Sequence, residues 1–152
     1  MNSATNIVGG LLAILLMGSS INMQDPAALS VLAVTDIRWG SCAAGSPPGC
    51  AQALLHGDPR QPGPFTTRTR VPAGWRALPH YHSAEECVTV ISGTVHVATG
   101  DTFNDKAPSA HTVGAGGFYC VPVGVHHFAW ADRETIIQVH GVGPFTRTSV
   151  NP

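Results

Sequence analysis

The chain has 152 residues with 8 Lys and Arg against 9 Asp and Glu, so its formal net charge is −1. This length suits one domain with a terminal extension. No run of Lys or Arg is present to neutralise phosphates, which excludes a basic nucleic-acid-binding protein and leaves no nucleic-acid partner expected. Hydrophobic residues make up 43% of the chain, which excludes disorder by composition. The 17 glycines and 12 prolines are typical of many short strands joined by turns.

The amino-terminal segment differs from the rest of the chain. The apolar run Ile7–Met17 is shorter than the about 20 residues needed to span a bilayer, and it suits the hydrophobic region of a signal peptide. We therefore predict a signal peptide over 1–20, an N-terminal arm over 21–35 and a single domain over 36–152. This predicts a periplasmic or secreted protein with no stable membrane insertion after cleavage. The alternative is an amino-terminal segment that packs against the domain.

The remaining sequence alternates β-branched and aromatic runs with glycine and proline clusters, a pattern that predicts strands. No long stretch after residue 30 has the apolar spacing of a helix. Strands at spacings of about 8–12 residues favour a sandwich or a barrel. Ser92-Gly93, between two such runs, predicts a tight hairpin turn. The predicted strands are, in chain order, Val31–Val34, Gln52–Leu55, Phe65–Val71, Ala77–Tyr81, Glu86–Ile91, Thr94–Ala98, Gly117–Val121, His127–Trp130 and Thr135–His140.

The most informative stretch contains His80, His82 and Glu86. Side chains alternate faces along a strand, so His80 and His82 point the same way. Two imidazoles on one face, followed by a carboxylate after a turn, predict a three-ligand metal site. A second block, Gly116–His127, adds His127 as a fourth ligand from a distant strand. The same alternation points Glu85, the neighbour of Glu86, away from the site, and it does so for His126 as well.

These two blocks resemble the two motifs of the cupin superfamily, G-x5-H-x-H-x3-E-x6-G and G-x5-P-x-G-x2-H-x3-N. Ala131 stands where the second motif has its final Asn, a position that is not a metal ligand. The resemblance extends over about residues 36–150 and is to the small single-domain cupins of conserved-barrel type 2. It implies an all-β fold, the cupin-type jelly-roll β-barrel or double-stranded β-helix, with a site inside the barrel mouth. The matching positions are Gly74, His80, His82, Glu86, Gly93, Gly116, Pro122, Gly124 and His127.

The resemblance also implies a cofactor, one divalent metal ion. His80, His82 and His127 would bind it from adjacent strands and Glu86 from the opposing sheet. Three neutral imidazoles, one carboxylate and a divalent ion carry one net positive charge and leave two octahedral positions open. We favour Fe or Mn, and Zn or Ni also suit these ligands. We expect a small-molecule substrate, and a homodimer is compatible with the family and with an edge strand near Val31.

The four cysteines form two pairs by position. Cys42 and Cys50 bracket a loop rich in proline and glycine, whereas Cys87 follows Glu86 and Cys120 lies in the second block. In a jelly roll of this family's type, Cys87 and Cys120 would lie on adjacent strands. An exported protein would then contain the disulfides Cys42–Cys50 and Cys87–Cys120. The alternative for Cys87 and Cys120 is two small buried thiols.

Three functions are compatible with these residues. The first is a metal-dependent oxidoreductase, of the dioxygenase or oxidase type, acting on a small organic molecule. The second is a metal-dependent isomerase or lyase, for which Tyr81 and Tyr119 are the phenols nearest the ligands in sequence. The third is a periplasmic protein that binds metal or a small ligand without catalysis. Resemblance of fold does not choose between them. We interpret Arg70, which lies at the end of a predicted strand, as a solvated charge at the rim of the barrel. The alternative is that Arg70 pairs with a carboxylate of the substrate.

Overall fold

The computed structural model of the protein describes residues 29–42 and 46–150. The chain divides into the units Met1–Val31 and Leu32–Pro152, and the strands belong to the second unit. The predicted signal peptide and residues 21–28 of the predicted arm lie outside the described residues. Within the described part, no helix is long and apolar enough to cross a membrane.

The described chain forms two antiparallel sheets that face each other. The larger sheet has the strand order β1-β2-β3-β10-β5-β8 and the smaller sheet the order β11-β4-β9-β6-β7. This arrangement confirms the predicted all-β jelly-roll barrel. The strands, which follow a 3-10 helix at Val34–Asp36, are β1 Gly40–Ser41, β2 Ala51–His56, β3 Gly63–Val71, β4 Trp75–His82, β5 Glu86–Ser92, β6 Thr94–Thr99, β7 His111–Gly114, β8 Phe118–Val121, β9 His127–Ala131, β10 Thr135–Gly143 and β11 Arg147–Ser149.

The main core lies between the two sheets and follows from the alternation of side chains along each strand. On β5, Val88 and Val90 are buried, and on β10, Ile137 and Val139 are buried beside them. Burying each such side chain contributes about 1.5–3 kcal/mol. A second cluster contains Phe128 and neighbouring aromatic residues on β9 and in the loop after β6. Residues of one strand, β9, therefore face both clusters.

Two expectations about the strands are wrong. Val31–Val34 forms no strand, because these exposed residues have no partner strand and β propensity alone does not fix an extended segment. Ser92-Gly93 forms no hairpin, because β5 and β6 belong to different sheets. Gly93 has a φ of +78°. The hydroxyl of Thr135 donates to the carbonyl of Thr94 and accepts from the N–H of Thr94, and these two bonds fix the point where the chain passes from one sheet to the other.

The structure pairs all four cysteines. Cys87 on β5 lies directly opposite Cys120 on β8, with a Cα–Cα distance of 4.1 Å. Cys42 and Cys50 are joined across the loop between β1 and β2, with a Cα–Cα distance of 5.7 Å. Neighbouring strands thus bring together two cysteines that are 33 residues apart in sequence.

Candidate metal centre

Neighbouring strands bring the three candidate histidines together. His80 on β4 lies directly opposite His127 on β9, and His82 follows two residues later on the same face. A register shift between Ala77 and His80 precedes the pair. All three imidazoles are buried, with exposed fractions of 2–5%. The carboxylate of Glu86 comes from the first residue of β5, in the opposing sheet. The two sheets therefore contribute to one centre.

The side-chain atoms of these four residues converge. Nitrogen atoms of His80, His82 and His127 all lie within 4.8 Å of one another. Glu86 Oε1 lies 3.6 Å from His82 Nε2, and Glu86 Oε2 lies 3.5 Å from His127 Nε2. Separations of this size are longer than a direct hydrogen bond and leave space for an ion between the donors.

Hydrogen bonds to the backbone orient each imidazole. The Nδ1 atom of His80 lies 2.7 Å from the Leu78 carbonyl and that of His127 lies 3.0 Å from the Val125 carbonyl. His82 Nδ1 lies 3.1 Å from the carbonyl of Thr146. A carbonyl only accepts, so each Nδ1 carries a proton, and in a neutral imidazole of this tautomer the lone pair lies on Nε2.

The donor atoms fit a divalent metal ion. His82 Nε2 is buried and has no hydrogen-bond partner in the described part of the chain. A buried acceptor without a partner is costly unless a cation binds it. The anchoring of each ligand histidine through its other nitrogen is the usual arrangement around protein metals. His80, His82 and His127 therefore form a group that can bind a metal, with Glu86 beside them.

Electrostatics prepare the imidazoles for this role. Burial lowers the pKa of His80 to about 3, and the charges of His127 and Arg147 act in the same direction. Burial also lowers the pKa of His82, although Glu86 opposes this effect. Burial acts to raise the pKa of Glu86, but the nearby imidazole of His127 and the charges of the other histidines hold it below its usual value. At neutral pH the centre thus contains neutral imidazoles at His80 and His82 and an ionised carboxylate.

A cavity of about 270 Å³, here called the metal cavity, opens beside these residues. Its walls are mainly apolar and include Phe65, Val88 and Ala129. Buried Thr67 and Thr69 add hydroxyl groups. The small side chain of Ala129 leaves room in this wall next to the candidate ligands.

Tyr119 lies in the wall of the metal cavity next to the carboxylate. Burial raises the pKa of Tyr119, and the charge of Glu86 raises it further. Its phenol therefore stays protonated. Tyr81 faces outward, as the alternation predicts, and its ring stacks on His126 at a centroid distance of 5.0 Å.

The neighbours of the ligands also point outward. Glu85 is exposed, and His126 Nδ1 lies 2.7 Å from an Asp101 carboxylate oxygen. The guanidinium of Arg70 lies over the ring of Trp39, 4.4 Å from its centroid, rather than in the metal cavity. Alternation along the strands thus directs the candidate ligands into the centre and their sequence neighbours away from it.

The sequence prediction missed two residues near the centre. The ring of Phe145 stacks on His82 with centroids 4.4 Å apart, and Arg147 lines the metal cavity. Both follow β10, and Arg147 lies directly opposite His82 in the short strand β11. One signal was available: Gly-Pro-Phe-Thr occurs at 63–66 and again at 143–146. The two phenylalanines of this repeat, Phe65 and Phe145, are in contact at 5.1 Å.

A family model described as a cupin domain matches residues 67–139. This range begins in β3, ends in β10 and contains both sequence motifs. The chain therefore contains a cupin domain over these residues. No curated protein matches the chain in sequence.

Solved structures share the cupin fold. The polyketide cyclase RemF from Streptomyces resistomycificus is 16% identical, with a TM-score of 0.68 and with 82% of this chain and 87% of that chain covered. A proposed acetylacetone dioxygenase from Methylibium petroleiphilum PM1 is 19% identical, with a TM-score of 0.65 and coverages of 86% and 89%. A salicylate 1,2-dioxygenase from Pseudaminobacter salicylatoxidans is 15% identical, with a TM-score of 0.55 and coverages of 68% and 31%. At these identities the comparison establishes a shared fold.

Proposed function

We propose that this cupin is a mononuclear metal-dependent oxidoreductase, of the dioxygenase or oxidase type, that acts on a small organic molecule. The observation that carries the proposal is the convergence of three imidazole nitrogens and one carboxylate on the wall of a mainly apolar cavity. Two of the similar structures are described as dioxygenases, which supports this choice within the fold.

His80, His82, His127 and Glu86 would hold the ion, with Fe or Mn favoured. Such an ion supplies Lewis acidity and redox chemistry when bound. The chain itself contributes orientation, because the carbonyls that accept from each Nδ1 fix the rings before binding. The apolar walls exclude water from a bound substrate and strengthen electrostatic contacts inside the cavity.

A redox-silent isomerase or lyase is the second candidate. Tyr119 favours it, because a protonated phenol in the cavity wall can donate a hydrogen bond or a proton to a substrate oxygen. The similar polyketide cyclase shows that the fold is not restricted to oxygenases. Binding of metal or a small ligand without catalysis is the third candidate.

The experiment is oxygen uptake by protein reconstituted separately with Fe(II), Mn(II), Zn(II) and Ni(II). The substrates would be a panel of 1,3-diketones, phenols and small organic acids. We expect oxygen consumption with Fe(II) or Mn(II), lost in His127→Ala and retained in the matched variant His126→Ala. Conversion without oxygen uptake in the Zn(II) or Ni(II) form would favour the isomerase or lyase. Bound Fe(II) and Mn(II) with no conversion of any panel member would contradict the oxidoreductase proposal.

We also propose that the protein is exported to the periplasm or secreted. The apolar run Ile7–Met17 and the pairing of all four cysteines support this proposal. Cell fractionation tests it: we expect a shorter chain outside the cytoplasm, and a full-length cytoplasmic chain would contradict it.

A further inference from the structure

A second groove adjoins the metal cavity and is here called the arginine groove. It has a volume of about 320 Å³, and its walls include Arg76, Leu78, Arg147 and Ser149. Arg147 lines both spaces, and so do Ser46 and a neighbouring proline. The guanidinium of Arg147 therefore lies where the exposed groove meets the metal cavity.

The charge of this groove is unbalanced. Its described lining contains two arginines and no acidic residue. Within residues 29–42 and 46–150, one arginine forms an ion pair, and it is Arg60 with Asp58. Neither Arg76 nor Arg147 forms an ion pair there. Arg76 lies over the ring of Phe103 at 4.9 Å. Two guanidinium groups without a carboxylate partner create a positive potential that attracts anions.

Arg147 keeps most of its hydrogen-bonding capacity. Its Nη2 donates to the Leu78 carbonyl at 3.3 Å. A guanidinium has five N–H donors, and its fork matches a carboxylate in bidentate geometry. Arg147 also lies directly opposite His82 in the pairing of β11 with β4, which places it next to a candidate ligand. An anion bound to Arg147 would thus lie beside the metal centre.

We infer that Arg147 is the specificity-determining residue of this site and that the substrate is a small organic acid. Its carboxylate binds Arg147 at the junction of the two spaces, and its apolar body lies in the metal cavity. Arg76 adds positive potential along the entrance. The substrate assignment rests on the proposed function, whereas the anion site itself does not.

The test measures binding of benzoate, its uncharged analogue benzamide, and phenyl phosphate. Calorimetry at fixed pH and ionic strength would use both the metal-free and the Zn(II)-loaded protein. We expect benzoate to bind about tenfold more tightly than benzamide, as one charge-assisted hydrogen-bonded contact predicts. Arg147→Gln should abolish this preference in both forms, through a larger loss of benzoate binding than of benzamide binding. Arg147→Lys, which keeps the charge but not the fork, should retain part of it.

Arg133→Gln is the matched control, because it removes the same charge at an exposed position outside both linings. Equal losses in Arg147→Gln and Arg133→Gln would overturn the inference, as would benzoate binding no more tightly than benzamide. Tighter binding of phenyl phosphate than of benzoate would overturn the carboxylate assignment. A protein that fails to bind metal can still show the preference in its metal-free form, so failure of the proposed function is distinguishable from failure of this inference.

Discussion

His80 of β4 lies directly opposite His127 of β9, with ring centroids 4.3 Å apart. This pair joins the two sequence motifs, which are far apart in the chain. Glu86 then faces the pair from the other sheet, so the candidate centre spans both layers of the barrel. Among the four candidate ligands, only the carboxylate would offset the charge of a divalent ion, so its removal has a defined consequence.

Glu86→Gln should weaken metal binding by at least about tenfold, because the amide keeps the shape of the side chain but loses the negative charge. Competition with a chelator measures the affinity. The matched variant is Glu85→Gln, which removes the same charge from the exposed neighbouring residue. Equal weakening in the two variants would show that net charge, rather than coordination by Glu86, determines the affinity.

The stability of the metal-free protein should fall as the pH falls below about 6.5. Burial holds the pKa of His80 at about 3 in the folded state, against an ordinary value of 6.5. Between these values the unfolded chain binds the proton and the folded chain does not, so the free energy of unfolding decreases by up to about 1.4 kcal/mol per pH unit. Burial lowers the pKa of His82 in the same direction.

Denaturant unfolding between pH 5 and 8 would measure this dependence. His80→Asn keeps a donor near the Leu78 carbonyl but cannot titrate, so its slope below pH 6.5 should be shallower than that of the wild type. An identical slope in the two proteins would contradict the lowered pKa of His80.

Gly93→Ala should lower the free energy of unfolding by at least about 2 kcal/mol, because it combines left-handed strain with a steric clash. An added Cβ would lie 2.6 Å from the Glu134 carbonyl oxygen and 2.5 Å from Thr135 Oγ1. Gly74 also has a positive φ, +77°, but nothing lies within 4 Å of an added Cβ. Gly74→Ala should therefore cost only about 1 kcal/mol. Denaturant midpoints and slopes give the free energy of unfolding of each variant. Equal losses of stability in Gly93→Ala and Gly74→Ala would contradict the close contacts described at Gly93.

The oxidised protein should contain no free thiols when it is unfolded without reductant. Replacing both Cys87 and Cys120 with alanine should cost about 3–4 kcal/mol of stability, since their cross-link closes the longer loop. Replacing both Cys42 and Cys50 should cost about 2–3 kcal/mol. Thiol titration and denaturant unfolding measure these quantities. Four reactive thiols in the oxidised wild type would contradict both pairings and weaken the export proposal.

The barrel and the meeting of four side chains were implied by the resemblance to the cupin motifs, whereas strand parity, a local property, predicted the faces of individual residues. His80 and His82 lie on the same strand face for this reason, whereas Glu85 and His126 both point away from the candidate centre. The role of the Thr146 carbonyl, the partner of His82 Nδ1, depends on a strand pairing far along the chain and has no local signal.

The same limit explains the residues that were missed. Arg147 belongs to a strand of only three residues, all of them in the exposed class, so neither strand length nor alternation of burial identified it. Ser92-Gly93 does have turn chemistry, but the turn residues do not determine which sheet the next strand joins. The position of Arg147 and the sheet that β6 joins both depend on strand pairing between distant parts of the chain, not on local propensity.

Metal content tests the central claim most directly. The protein would be purified anaerobically without a His tag or chelator, loaded with Fe(II) or Mn(II), and assayed by inductively coupled plasma mass spectrometry. Beside it would be His82→Ala, which removes a buried nitrogen of the centre, and His126→Ala, which removes an outward-facing imidazole. We predict about one ion per chain in the wild type and in His126→Ala, and almost none in His82→Ala. No bound metal in the wild type after reconstitution, or equal loss in the two variants, would contradict the account.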